Sequence, residues 1–90
     1  MYGRKEGWLS AHVGQELVMM SAGSGAYLGL NEIGARVWEL IDTPMELPQI
    51  CAALANEFET TAEACRAEVE AFLAELEARG AVTKSHGAAA

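Results

Sequence analysis

Basic residues are scarce in this chain: six Lys and Arg stand against thirteen Asp and Glu among 90 residues, a formal net charge of −7. Affinity for nucleic acid comes mainly from Lys and Arg neutralising phosphates, and the few basic residues here form no patch, so no nucleic-acid partner is expected. Long apolar runs are missing too. None approaches the roughly 20 residues needed to cross a bilayer, which excludes a membrane-spanning helix and leaves no membrane partner expected. Met1–Gly7 is polar and carries no charged-then-apolar leader, so the expected location is cytoplasmic. Only two cysteines, Cys51 and Cys65, and two histidines, His12 and His86, are present. They show neither metal-ligand spacing nor a Cys-x-x-Cys pair, so no metal and no cofactor are expected, and the cysteines read as reduced, half-buried small hydrophobes. Also missing are a Ser/His/Asp or Cys/His set and a phosphate-cradling glycine loop. His12 reads as a surface or half-buried residue rather than a base. No catalytic residue is assigned, and the chain is not expected to be an enzyme.

What remains is a patterned, half-apolar chain: 51% of its residues are hydrophobic. That length and composition suit one domain, expected to span 1–90 with an ordered core over about 9–84 and flexible termini. The stretch Tyr27–Asp42 organises it. Leu28 and Leu30 alternate with Tyr27 and Gly29 in the two-residue period of a half-buried strand. After Asn31 the period turns helical, with Ile33, Val37, Leu40 and Ile41 on one stripe and Glu32, Arg36 and Glu39 largely off it. Asn31 is the natural N-cap, and Glu32 places negative charge where the helix dipole favours it. A strand thus feeds straight into a helix.

Upstream, Trp8–Val13 and Glu16–Ser21 read as strands separated by Gly14-Gln15. Ala22-Gly23-Ser24-Gly25 then supplies hairpin glycines ahead of Ala26–Leu30. Three consecutive short strands predict an antiparallel meander with the third strand at an edge. Downstream, the first helix, Glu32–Ile41, carries Gly34 in its first turn at up to about 1 kcal/mol relative to alanine. Either a close backbone approach or a tolerated glycine near a helix end accounts for it. Pro44 ends this helix, because the residue before proline avoids the helical region. The second helix starts near Leu47, so that Pro48 falls in its first turn, and closes over Asn56–Glu59. Thr60-Thr61-Ala62-Glu63 has the capping-box pattern and opens the third helix, which runs to about Arg79 with Gly80 as its stop. Ala81–Lys84 can form a short extended piece, and the Ser-His-Gly-Ala tail is too small to pack. The expected fold class is α+β: a winged helix-turn-helix with a three-stranded antiparallel sheet followed by three helices. Such a plan offers a helix pair that a DNA-binding regulator would use, which the charge opposes. It also offers a free strand edge able to accept an extended peptide.

The run Tyr-Leu-Gly-Leu-Asn-Glu-Ile-Gly-Ala-Arg-Val-Trp-Glu-Leu-Ile-Asp, with Ile50-Cys51-Ala52-Ala53-Leu54 and Phe72-Leu73-Ala74-Glu75-Leu76-Glu77-Ala78-Arg79-Gly80, resembles the PqqD-like family, the RiPP recognition elements. It looks most like the standalone leader-peptide binding proteins of lasso peptide clusters. The resemblance implies a non-catalytic module that binds the leader region of a ribosomal precursor peptide as an added strand on Ala26, Tyr27, Leu28, Gly29 and Leu30. The third helix would wall the cleft with Cys65, Glu68, Val69, Phe72 and Leu76. At the Glu68 position family members more often carry Asp. The implied partner is a processing enzyme: a leader peptidase in lasso peptide biosynthesis or, in the alternative, a radical-SAM enzyme served by a PqqD-type chaperone. A small winged-helix DNA-binding regulator and a structural subunit that pairs its edge with its own copy are the readings from other classes.

Overall fold

The computed structural model describes residues 1–84. The elements, in order, are β1 (Tyr2–Arg4), β2 (Trp8–Val13), β3 (Glu16–Ser21), β4 (Tyr27–Leu30), α1 (Glu32–Leu40), α2 (Leu47–Glu57), α3 (Ala62–Ala78) and β5 (Val82–Lys84). The three expected strands are β2, β3 and β4. They form one antiparallel sheet in the order β2-β3-β4, with Trp8 opposite Ser21, Val13 opposite Glu16, and Leu17 opposite Leu30, so β4 lies at an edge. Gly14 turns the first hairpin at φ 66°, in the left-handed region that glycine enters without a Cβ penalty.

The sheet buries one side. Leu17, Met19 and Leu30 point to the helices and join Val37, Trp38 and Ile41 from α1 and its C-terminus, Ile50 and Leu54 from α2, and Val69, Leu73 and Leu76 from α3. Helix ends are set by local chemistry. The Asn31 side chain accepts a hydrogen bond from the Gly34 amide at 2.9 Å, as the N-cap reading requires. Gln49 Oε1 accepts from the Glu46 amide at 3.0 Å and fixes the start of α2 at Leu47. Thr61 Oγ1 accepts from the Ala64 amide at 3.0 Å, and Gly80 at φ 78° ends the run that began there. This is the α+β, winged-helix-like arrangement expected.

The N-terminus holds a strand that the sequence reading did not foresee. Tyr2 pairs with Lys84, Gly3 with Thr83 and Arg4 with Val82 in a second, two-stranded sheet. Tyr2 is buried in the core and exchanges main-chain hydrogen bonds with Met45 at 2.7 and 2.9 Å. Arg4 donates twice to the Trp38 carbonyl, at 2.9 and 2.7 Å, and its guanidinium lies 4.6 Å from the Trp38 ring centroid. Strand pairing therefore begins at Tyr2, ahead of the core expected over about 9–84. The expectation for the C-terminal tail falls on residues 85–90, outside the described residues. Among the described residues, no helix is long and apolar enough to cross a membrane.

Candidate functional site

The edge strand β4 leaves half of its main-chain groups unused. The Ser21 amide donates to the Ala26 carbonyl at 2.9 Å at the mouth of the hairpin. Bonded and non-bonded pairs alternate along an antiparallel ladder. In the observed register Leu28 and Leu30 therefore bond to β3, while the amides and carbonyls of Tyr27 and Gly29 face away from it. The side chains follow the predicted alternation: Leu30 is buried and Leu28 half-buried on the inner side, and Tyr27 is exposed on the other.

Alongside this edge, α3 forms the opposite wall of a trough. Its first part, about 160 Å³, lies between Leu28, Gly29, Leu30 and Asn31 on one side and Phe72, Glu75 and Leu76 on the other. Its second part, about 200 Å³, continues over the start of α1, between Ile33, Gly34 and Val37 and the α3 residues Glu68, Val69, Ala71 and Phe72. Asn31, Phe72 and Glu75 line both parts. Phe72 is half-buried, and its ring rests on Gly34, where an added Cβ would stand 3.0 Å from Cε1. Of the two accounts of this glycine, the close approach is the one observed.

Leu28, Gly29, Leu30, Glu68, Val69, Phe72 and Leu76 are thus brought together along one trough. Val69 and Leu76 are fully buried and serve as its floor. Three residues named for the site stand apart. Ala26 lies just ahead of β4 with its carbonyl bonded to the Ser21 amide, and the exposed Tyr27 side chain points to the far side of the sheet, its main chain alone belonging to the free edge. Cys65 is packed in the core at 8% exposure, so the half-buried reading of the cysteines is corrected: neighbouring helices cover both. Burial pushes the Cys51 thiol above its ordinary value, and the nearby Cys65 adds to the effect.

Asn31, Ile33, Gly34, Val37, Ala71 and Glu75 were not foreseen as lining residues. Glu75 follows Phe72 by three and Glu68 by seven and so shares their helix face, a spacing that a solvated face shows equally. Arg79 holds the Glu75 carboxylate at 3.2 Å, whereas Glu68 has no ion-pair partner among the described residues. An apolar floor, two carboxylates on one rim and outward-facing amides and carbonyls on the other suit an extended peptide with apolar and basic side chains.

The family model for coenzyme PQQ synthesis protein D (PqqD) matches residues 16–82. Two solved structures share the fold. One, described as TbiB1 in complex with the TbiA(beta) leader peptide, is 23% identical with a TM-score of 0.81, covering 92% of this chain and 96% of that one. The other, described as lasso peptide synthetase B1 complexed with the leader peptide, is 17% identical with a TM-score of 0.79, covering 92% of this chain and 98% of that one. No curated protein matches.

Proposed function

Because this chain belongs to the PqqD family, we propose that it is a non-catalytic leader-peptide recognition protein. It binds the leader of a ribosomally made precursor as an added strand on β4, beside α3, and delivers it to a processing enzyme, the leader peptidase of a lasso peptide pathway. The observation that carries this reading is the free edge at Tyr27 and Gly29 facing a trough floored by Val69 and Leu76. The descriptions of the two proteins of like fold, each in complex with a leader peptide, support the choice of ligand.

The energetics are adequate. Each net main-chain hydrogen bond contributes about 0.5–1.5 kcal/mol, and a buried apolar side chain about 1.5–3 kcal/mol. Four such bonds and two filled pockets can reach the roughly 8 kcal/mol of a micromolar complex after part is lost to ordering the peptide.

The test is an isotope-labelled NMR titration with the leader segment of whatever short precursor is encoded beside this protein. Shifts concentrated at Ala26–Asn31 and along Glu68–Leu76 are expected. A titration that leaves those amides unmoved overturns the proposal. The alternative destination is a radical-SAM enzyme in another peptide-modification pathway, served by this chain as a PqqD-type chaperone. Adding each enzyme to the peptide complex shows which one binds it.

A further inference from the structure

Among the described residues, four large apolar side chains are exposed, and three of them, Leu9 (59%), Val13 (60%) and Tyr27 (70%), lie on one side of the three-stranded sheet. The register puts them in rows. Leu9 stands opposite Met20, which stands opposite Tyr27; the next row on that side is Ala11, Val18 and Gly29; then Val13 faces Glu16. Two full rows carry no charge. No other element packs on this side, among the described residues, while the other side covers the helices. Scattered exposed apolar residues need no explanation, but a contiguous patch marks an interaction surface.

We infer that this outer sheet face is the docking surface for the enzyme that acts on the bound peptide, an inference that rests on the strand-addition reading above. Continuity is the first argument. Tyr27 and Gly29 belong both to the free edge and to the outer face, so a peptide strand added there turns every second side chain onto that face and widens it from three strands to four. The enzyme then touches protein and peptide together, and each strengthens the binding of the other by the same factor.

Area is the second argument. Strands rising about 3.3 Å per residue and spaced about 4.8 Å apart give a face of roughly 300 Å², well below the ~800 Å² per partner of a stable complex. Two copies packed through this face alone would not hold. A partner that also covers the added strand and its flanks gains the missing contact. Charge sets the remaining condition: Glu16 is the face's one carboxylate and the chain carries −7, so the partner presents an apolar centre with a neutral or basic rim, and an anionic lipid surface is disfavoured.

The probe is the purified processing enzyme encoded beside the precursor, titrated by fluorescence anisotropy into the wild type and a Leu9→Lys, Val13→Lys double variant, each with and without leader. Both positions are exposed; should the lysine pair lower the melting temperature, Leu9→Thr with Val13→Thr keeps strand propensity and replaces it. The double variant is expected to bind leader as the wild type does and the enzyme at least tenfold more weakly. Equal enzyme affinity overturns the inference. So does self-association of the wild type that the variant abolishes, which assigns the face to a second copy. Failure of the strand-addition reading shows separately, as a wild type that ignores the leader; the peptide-free enzyme titrations then decide the outer face alone.

Discussion

The Phe72 ring lies against Gly34, with room for no Cβ beyond 3.0 Å from its edge. Gly34→Ala gains up to about 1 kcal/mol of helix propensity but has to displace that ring. Phe72 faces the open trough and can yield into it, so stability in urea is expected to stay within about 1 kcal/mol of the wild type while leader affinity falls roughly tenfold. In a Phe72→Ala background the same change should leave affinity alone. A double-mutant cycle without coupling would show that the contact plays no part in binding.

Gly29→Pro removes an amide that faces the free edge and leaves the β3–β4 ladder intact, which is where an edge strand tolerates proline. Leader binding is expected to be lost in a protein that melts as the wild type does. Gly29→Ala is the control, since nothing lies within 4 Å of a Cβ there. Calorimetric titration of both variants checks the pair; a proline variant that still binds at full strength rules out strand addition through this amide.

Glu68 and Glu75 lie on one rim of the trough, and Glu68 is the one without a cation beside it among the described residues. Glu68→Lys should weaken a leader that carries a basic residue by about fivefold, the scale of an exposed ion pair, and the loss should shrink as salt is raised. Titrations at low and high ionic strength measure it. A salt-independent or absent effect makes Glu68 a solvated side chain.

Arg4 satisfies the carbonyl of Trp38 near the C-terminal end of α1 and stacks on the same residue's ring. Arg4→Ala is expected to cost about 2 kcal/mol in urea unfolding, the scale of hydrogen bonds from a charged donor. Wild-type stability in this variant would mean that the contacts of the Arg4 side chain with Trp38 contribute nothing to the fold.

Much of this architecture was legible locally. Asn31, Thr61 and Gly80 each mark a helix end through bonds or backbone angles confined to a few residues, and the alternation over Leu28–Leu30 fixes which side chains point inward. The strand at Tyr2–Arg4 was not legible: three residues show no period, and their partners lie at Val82–Lys84, at the other end of the described chain. The trough was read in part. Leu28, Gly29, Leu30, Val69, Phe72 and Leu76 follow from one strand and one helix, whereas Gly34 and Asn31 enter only because α1 brings its first turn against α3. Glu75 was hidden by its spacing, which on a solvated face and on a groove rim is the same.

The brevity of β4 has an effect of its own. With four residues and two facing outward, the open edge can grip a short stretch of chain and little more. A longer edge beside an apolar face would invite copy after copy to stack, the route to fibrils. Here the backbone supplies a brief, sequence-blind hold, and discrimination between one chain and another is left to the side chains across the trough.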